Sequence, residues 1–272
     1  MEKFLNINPK KEEQRIIAFL EKTLQKTGFK KLILGLSGGI DSTTNLYLVR
    51  KILPAKNIFI AHLYYFQPPT SNLQQICSKL QIPAENQHIL SIKKSVDELI
   101  SILKPNDQLE DGRIRVGPPA KQASLLALRA GNIMARIRMI ILFDLAKKHN
   151  ALVCGTENKS EHLLGYFTRF GDAASDIEPI QHLYKTQVYQ LAKYLNVPPE
   201  IINAKPSAGL WTDQTDEGEF GFSYQEADPV LYLYFEKKQT VEEIKKLGCK
   251  KAQKIIDFAL QNSFKHEVPY TL

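Results

Sequence analysis

Apolar and polar residues follow one another along this chain in blocks that predict helices and buried strands in turn. Between Pro9 and Gly28 the apolar residues recur at helical spacing, which predicts an amphipathic helix before the first strand. Further helices are predicted near 42–53, 73–80 and 123–149, and strands at 31–36, 58–65, 88–92 and 151–154. These strands are too apolar to face water. The sequence therefore predicts an α/β fold, a parallel sheet flanked by helices on both faces.

Two segments, 104–119 and 205–228, are poor candidates for regular structure because they are rich in glycine and acidic residues. Loops of this length in a compact domain are usually functional lids or disordered segments, so both are predicted to be mobile. The chain shows no internal repeat, low-complexity tract or linker. A single domain over residues 1–272 is therefore expected.

Composition indicates how large a core the chain can bury, whether it spans a membrane and whether its cysteines are reduced. With 272 residues and 43% hydrophobic content, the chain can bury one substantial core. No signal-peptide run opens it, and the strongest apolar run, 139–143, ends at Asp144, so a cytoplasmic protein without a membrane span is expected. Cys77, Cys154 and Cys249 are widely spaced and lack metal-site spacing, which indicates reduced thiols.

The formal net charge of +7 is compatible with nucleic acid, a membrane surface or phosphorylated small molecules as partners. The densest basic cluster comprises Lys245, Lys246, Lys250, Lys251 and Lys254. Apolar residues alternate with these lysines as they would along one amphipathic helix. A solvated helix face is therefore expected, and no nucleic-acid partner.

A glycine-rich loop follows the first predicted strand, with the sequence Leu36-Ser37-Gly38-Gly39-Ile40-Asp41-Ser42. Paired glycines let the backbone N–H groups reach phosphate oxygens, while the two serines and the following helix N-terminus add donors and partial positive charge. The loop lacks the lysine of a Walker motif. Asp41 suits a phosphate site if it holds a cation, and Mg²⁺ between the carboxylate and the phosphates meets that condition.

This loop resembles the signature of the N-type ATP pyrophosphatases, which cleave ATP between the α- and β-phosphates and activate a substrate as an adenylate. Further segments resemble the NAD synthetase family within that superfamily: 131–139, 155–161, 165–172, 176–180, 183–186, 205–211 and 213–217. The resemblance extends from about residue 28 to the C-terminus. It implies a Rossmann-like fold of the adenine nucleotide alpha hydrolase type.

The resemblance implies roles for residues around ATP and its metal. Asp41 and Glu161 match the Mg²⁺ ligands, and two carboxylates on different loops can hold one hard cation against a triphosphate. Loop 36–42, Thr156 and Ser207 match ATP-contacting positions, and Lys185 matches the lysine that neutralises the phosphates. From the residues alone, the alternatives are a first-turn helix glutamate for Glu161 and a surface lysine for Lys185.

The resemblance also implies a binding site for deamido-NAD. Arg136, Arg169, Asp176 and Lys265 match positions that contact this dinucleotide across the subunit interface of a homodimer. Asp176 is also expected to bind ammonium and to help release ammonia. A plain core helix with snorkelling arginines is the alternative for the helix that carries Arg136.

The chain departs from the family pattern at two places. Phe264 precedes Lys265 where relatives have histidine, and Ala173-Ala174 stands where many have Gly-Gly. Both positions belong to segments that would contact the dinucleotide. The departures therefore weaken the match of those local contacts, and Lys265 alone carries over from the C-terminal dipeptide.

The activity implied is ATP-dependent amidation of deamido-NAD through an acyl-adenylate, giving NAD, AMP and pyrophosphate. Glutamine-using relatives carry an extra amidase domain, for which this chain has no room, so free ammonia is the expected nitrogen source. Two alternatives are a tRNA-modifying ATP pyrophosphatase and a non-catalytic nucleotide-binding regulator. The pairing of Asp41 with Glu161, together with Lys185, favours the synthetase over the regulator.

Overall fold

The computed structural model of the protein describes residues 5–66, 71–103, 125–207 and 215–271. Within these residues the chain forms four strands: β1 (Leu32–Gly35), β2 (Ile58–Tyr64), β3 (Gln87–Ser91) and β4 (Leu152–Cys154). All of them pair in parallel, in the order β3-β2-β1-β4. The predicted parallel sheet is confirmed, and each predicted strand matches within one residue at either end.

Helices connect and follow the strands in the described parts of the chain. They are α1 (Pro9–Thr27), α2 (Ile40–Ile52), α3 (Ser71–Lys79), α4 (Lys93–Leu103), α5 (Leu125–His149), α6 (Lys159–Leu164), α7 (Lys185–Tyr194), α8 (Pro199–Ile202), α9 (Asp216–Phe220), α10 (Tyr224–Leu231), α11 (Val241–Lys246) and α12 (Ala252–Asn262). A π-helical turn, Tyr232–Glu236, follows α10. None of these helices combines the length and the apolar composition needed to cross a bilayer.

Two apolar clusters cover opposite faces of the sheet, as the apolar strands predict. Leu34 of β1 belongs to a cluster with residues of α1, α2 and α7, whereas its neighbour Ile33 belongs to a cluster with α4 and α5. Successive side chains of a strand point to opposite faces of the sheet. Ile33 and Leu34 are both fully buried because each face is covered by one of the two clusters. Complete burial of each such side chain stabilises the fold by about 1.5–3 kcal/mol.

The prediction that 205–228 lacks regular structure is wrong for its second half. Thr215 and Ser223 cap α9 and α10 through their side chains, and the aromatic residues Phe220 and Tyr224 are buried in a third apolar cluster. Each helix is too short to show periodicity, and tertiary burial of the aromatic rings stabilises both. The predicted loop 104–119 and residues 208–214 lie outside the described residues.

The prediction of one amphipathic helix across the basic cluster is also wrong. α11 ends at Lys246 and α12 begins at Ala252, with Gly248 between them at a φ of +95°. A left-handed glycine ends a helix readily because it lacks a Cβ. The five lysines of the cluster are exposed, as a solvated surface requires.

Candidate functional site

The sheet order creates a cleft beside its central strand. From β1 the chain proceeds outward to β2 and β3 on one side, and β4 pairs on the other side. In open parallel sheets, ligands bind at the carboxyl ends of the strands at such a switch point. A cavity of about 870 Å³ lies there, lined by the residues that follow β1, β2 and β4.

The phosphate loop forms one wall of the cavity. Gly38 has a φ of +89°, Gly39 donates its N–H to the Ser37 hydroxyl at 3.1 Å, and the hydroxyl oxygens of Ser37 and Ser42 are 3.0 Å apart. Among the described residues, no side chain caps the N-terminus of α2, so the first N–H groups of this helix can bind an anion. Of the predicted loop residues, all but Gly38 line the cavity: Leu36, Ser37, Gly39, Ile40, Asp41 and Ser42.

A buried charge cluster lies next to this loop. Lys185 is only 2% exposed. Its Nζ atom is 2.5 Å from Asp41 Oδ2 and 3.1 Å from Glu161 Oε1. Asn158 donates its amide to Asp41 Oδ1 at 3.0 Å and caps α6, which positions Glu161. The structure thus brings together the three residues predicted from separate motifs. Lys185 is not a surface lysine.

Asp216 is a member of this cluster that sequence analysis did not assign. It is 3% exposed, and the Tyr224 hydroxyl donates to its Oδ2 at 3.0 Å. Its charge acts on both Glu161 and Lys185. No local signal distinguishes Asp216 from the acidic residues around it, because its contacts are formed only when α9 packs against the cleft.

The titration behaviour of the cluster reflects its excess of acid. Burial raises the pKa of Glu161 to about 8; Lys185 opposes this shift and Asp41 adds to it. Burial alone would lower the pKa of Lys185, but the Asp41 and Glu161 carboxylates raise it above its ordinary value. Burial is thus the main cause at Glu161, whereas the neighbouring carboxylates decide the direction at Lys185. Three carboxyl groups near one ammonium group favour a further cation.

The donor set fits a hard divalent cation. Asp41 and Glu161 each direct a carboxylate oxygen toward Lys185 Nζ, so the two carboxylates converge on the same region of the site. Oxygen ligands of this kind are those that Mg²⁺ prefers. No group of three acidic, histidine or cysteine side chains with metal-ligand spacing is found in the part of the chain that the structure describes. A Mg²⁺ ion here would therefore complete its shell with phosphate oxygens and water.

Asp228 holds the Lys185 helix in place. This fully buried residue accepts hydrogen bonds from the Ser160 hydroxyl at 2.5 Å and from the Thr186 N–H at 2.8 Å. Ser160 in turn accepts the Lys185 N–H at 2.8 Å. The carboxylate thereby joins the N-termini of α6 and α7, the two helices that carry Glu161 and Lys185.

Replacing Asp228 with asparagine is expected to lower the free energy of unfolding by about 2 kcal/mol. The amide can accept from only one of the two donors and leaves the other unpaired in the interior. Urea denaturation measures this loss, with Asp257→Asn on the exposed face of α12 as the matched control. Equal midpoints for both variants would show that Asp228 does not join the helices.

The far wall of the cavity is apolar and aromatic. Residues at and after the end of β2 line it: His62, Leu63, Tyr64, Tyr65 and Phe66. Arg138 of α5 also lines it and donates its Nε–H to the Leu63 carbonyl at 3.0 Å. Thr156 and Ser207, both predicted from the family resemblance, line the cavity too. The sequence did not indicate this wall, because its residues carry no motif.

The predicted dinucleotide-binding residues do not all lie in the cavity. Lys265 lines it and donates to the carbonyls of Gly165 and Phe167 at 2.6 and 3.1 Å. Arg136 and Arg169 lie outside the lining, where Arg136 Nε donates to the Arg169 carbonyl at 3.3 Å. The Arg169 guanidinium stacks 5.2 Å above the ring of Phe264, the residue that departs from the family pattern.

Asp176 also lies outside the cavity lining, and its Oδ2 accepts the Val153 N–H at 2.8 Å at the edge of β4. Asp172 lines the cavity instead, and it accepts the Thr168 N–H at 2.8 Å. Both aspartates belong to the matched segments, and spacing alone did not distinguish them. The bonds of the turn around Gly171 decide which one faces the cleft.

A second acidic pair lies behind the cavity wall. Glu178 accepts the Ser175 hydroxyl at 2.7 Å and the Glu157 N–H at 3.1 Å. Desolvation raises the pKa of Glu178 to about 8, the Ser175 bond opposes the shift and the Glu157 charge adds to it. The folded state therefore keeps a proton that the unfolded chain loses near pH 4.3. This group makes the protein less stable as pH rises from about 4.3 to about 8.

Glu178→Gln is expected to remove that slope. Above about pH 8 the variant should exceed the wild type in free energy of unfolding by about 2 kcal/mol, after allowance for partial exposure of the carboxyl to water. Below about pH 5 the two should be equal within error. Urea denaturation across this pH range tests the prediction, and parallel pH profiles of the two proteins would contradict it.

This chain is similar to known proteins along nearly its whole length. The family model described as NAD synthase matches residues 12–269. The NH(3)-dependent NAD(+) synthetase of Fusobacterium nucleatum is 39% identical over 267 residues, which are 97% of this chain and 96% of that protein. The solved NMN synthetase of Francisella tularensis is 30% identical, with a TM-score of 0.78 over 98% of this chain and 99% of that one. The NH3-dependent NAD synthetase of Campylobacter jejuni, solved with a nitrate ion, is 28% identical, with a TM-score of 0.72 over 98% of this chain and all of that one.

Proposed function

This chain belongs to the NAD synthase family, and from that membership we propose that it is a ligase that amidates the nicotinate carboxylate of deamido-NAD with ammonia. ATP is the co-substrate, and the products are NAD, AMP and pyrophosphate. The contact of Lys185 with both Asp41 and Glu161 beside the phosphate loop is the observation that supports this proposal most strongly.

The residues that line the cavity support one orientation of ATP. Its phosphates meet the N–H groups and hydroxyls of loop 36–42 and the Lys185 ammonium, and its adenine lies against the aromatic wall after β2. When bound between Asp41 and Glu161, Mg²⁺ supplies positive charge that neutralises the phosphate oxygens. The nicotinate carboxylate attacks the α-phosphate, and Lys185 donates to the departing pyrophosphate, which leaves an acyl-adenylate.

Ammonia then attacks the carbonyl carbon of the adenylate and AMP leaves. Asp172, which lines the cavity, accepts the proton that the incoming nitrogen loses. This assignment replaces Asp176, which bonds the edge of β4. The Thr168 N–H orients the Asp172 carboxylate.

Asp172→Asn is expected to lower kcat for amide formation by about 10²-fold, the usual contribution of a positioned base. Its amide oxygen can still accept the Thr168 N–H, so the turn should be retained. Asp176→Asn serves as the matched variant and should lower kcat less. Single-turnover formation of NAD from pre-mixed ATP and deamido-NAD gives the measurement, and a larger loss in Asp176→Asn would reverse the assignment.

A homodimer with the substrate site at the subunit interface is part of the proposal. The exposed side of α5 carries Arg136 together with Leu128 and Ile140, which are 51% and 60% exposed. Apolar side chains beside an arginine suit burial against a second copy. Arg136 and Arg169 would then bind the part of the dinucleotide that extends from the partner's cavity. A cytoplasmic location stays a prediction.

A mononucleotide is a second candidate substrate, because one structure similar to this chain is an NMN synthetase. Nicotinate mononucleotide has the same carboxylate but lacks the AMP half. If Arg136 contacts that half, Arg136→Ala should lower kcat/KM for deamido-NAD by about tenfold or more and leave the mononucleotide unaffected. The kcat/KM ratio of the two substrates with the wild-type protein decides between them.

The proposal is tested by incubating the purified protein with deamido-NAD, ATP, Mg²⁺ and ammonium. NAD and AMP should form in equal amounts, and neither should form when deamido-NAD is omitted. Binding of ATP by a folded protein that makes no amide from either nicotinate substrate would support the regulator alternative.

A further inference from the structure

Two histidines outside the active-site cavity face each other where β3 meets the end of α5. His88 belongs to β3 and His149 is the last residue of α5, so only the fold brings them together. Their Nε2 atoms are 2.9 Å apart. Neither residue lines the cavity, and the mechanism proposed above uses neither imidazole.

Aromatic packing holds the two rings in place. The Phe59 ring of β2 stacks on His149, with centroids 4.0 Å apart and planes inclined by 21°, and its centroid is 6.5 Å from that of His88. The centroids of the two imidazole rings are 4.9 Å apart. Both histidines are half-buried, so the pair lies at the boundary of the core with solvent.

Both imidazoles are in the form that binds metal ions. Burial lowers the pKa of each ring, and the Lys148 charge lowers both further. Lys31 adds to the shift at His149. Each ring is therefore neutral at pH 7, and one Nε2 donates its proton to the lone pair of the other. When that proton moves to Nδ1 of its own ring, both Nε2 lone pairs become available and no proton is released.

The separation of the two nitrogens fits a single metal ion. Two nitrogens that each lie about 2.0–2.1 Å from one ion, at right angles to each other, are about 2.9 Å apart. Right angles are typical of tetragonal Cu²⁺ and Ni²⁺, whereas a tetrahedral ion would hold the nitrogens about 3.3–3.4 Å apart. Since the described residues offer no third acidic, histidine or cysteine ligand here, water completes the coordination.

We propose that His88 and His149 bind a divalent transition-metal ion of the Cu²⁺ and Ni²⁺ class through their Nε2 atoms. This site is distinct from the one between Asp41 and Glu161, whose oxygen ligands suit a hard cation, and it does not depend on the proposed function. The two neighbouring lysines oppose binding, so Cu²⁺, which binds nitrogen ligands most strongly, is the best probe. A bound ion joins the edge strand β3 to the end of α5 and stabilises the folded state.

Electron paramagnetic resonance of Cu²⁺ tests the proposal in the full-length protein, with one equivalent of CuCl₂ and excess Mg²⁺. The wild-type spectrum should show two imidazole nitrogens bound to the ion. His88→Asn and His149→Asn should each retain at most one and bind Cu²⁺ about tenfold or more weakly, because a lost ligand costs at least as much as a lost outer-shell partner. An asparagine amide can still hydrogen-bond the remaining imidazole, so both variants should fold.

His266→Asn is the matched control, because it alters another pair of neighbouring histidines, whose ring centroids are 4.5 Å apart. Both ring nitrogens of His266 contact carbonyl oxygens, at 3.0 and 2.6 Å, so they do not converge with His162 on a common ion. This variant should keep the wild-type spectrum and the wild-type affinity for Cu²⁺.

A stability measurement gives an independent test. One equivalent of Ni²⁺ in excess Mg²⁺ should raise the Tm of the wild type and of His266→Asn, and should not raise that of His88→Asn or His149→Asn. A wild-type Cu²⁺ spectrum with oxygen ligands only, or with a single imidazole, would overturn the proposal. So would two imidazoles retained in either variant of the pair, or an equal Ni²⁺ response in all four proteins, since both results indicate binding elsewhere.

Discussion

Asp41→Asn is expected to lower NAD formation by about 10³-fold or more. The asparagine oxygen can still reach a cation, but it carries no charge, and the attraction that holds Mg²⁺ against the triphosphate is lost. Asp41 Oδ2 also lies 2.5 Å from Lys185 Nζ, so the variant removes one of the two carboxylates that orient the lysine. Initial rates of NAD formation at saturating ATP, measured over a range of Mg²⁺ concentrations, give the effect.

Asp257→Asn is the control for that variant, because its side chain lies on the exposed side of α12, where it accepts from Gln253. Added Mg²⁺ is expected to rescue Asp41→Asn only in small part. Loss of less than tenfold at saturating Mg²⁺ would mean that Asp41 is not a metal ligand in the reaction.

Lys185→Met is expected to change both activity and stability. The thioether chain has a similar length and no charge, so the departing pyrophosphate loses a donor, and the rate should fall by about 10³-fold. Without Mg²⁺, the carboxyl groups of Asp41, Glu161 and Asp216 lose the ammonium group that they surround. Removing one partner from a buried charge cluster costs about 3 kcal/mol. Thermal and urea denaturation without Mg²⁺ should show that loss.

The effect of Mg²⁺ on the stability of Lys185→Met is a second test of this prediction. A divalent cation placed between Asp41 and Glu161 compensates the same carboxylates, so millimolar Mg²⁺ should raise the Tm of Lys185→Met more than that of the wild type. Lys193→Met, on the exposed side of α7, is the matched control. Equal Mg²⁺ responses in variant and wild type would show that the cluster does not bind the ion.

The site residues that could be predicted from the sequence are those that belong to contiguous motifs. Asp41 lies in a glycine-rich loop after a strand, and Glu161 and Lys185 lie in segments that resemble one family, so their meeting point could be anticipated. Asp216 could not, because its burial depends on how α9 packs against the cleft. Arg138 was equally hidden, since three arginines, Arg129, Arg136 and Arg138, stand on one helix and their spacing does not say which of them faces the cavity.

The sequence also could not show which of Asp172 and Asp176 faces the cavity. Both lie in the segment that follows Gly171, and a turn rather than a helix or strand separates them, so no periodicity fixes their directions. Strand limits, in contrast, were predicted within one residue. For β1 the reason is that a buried parallel strand requires an apolar run. The expectation that every strand is too apolar to face water is wrong for β3, an edge strand on which Ile89 and Leu90 are exposed. Short capped helices such as α9 and α10 lie between these cases: their caps are visible in the sequence, but their burial is not.

Transfer of an oxygen atom tests the central claim most directly. Deamido-NAD labelled with ¹⁸O in its nicotinate carboxylate is incubated with the protein, ATP, Mg²⁺ and ammonium, and the products are analysed by mass spectrometry. Attack of the carboxylate on the α-phosphate, followed by ammonia, places one ¹⁸O in each AMP and none in pyrophosphate. Label in inorganic phosphate together with ADP, or NAD formation without labelled AMP, would contradict an adenylating synthetase.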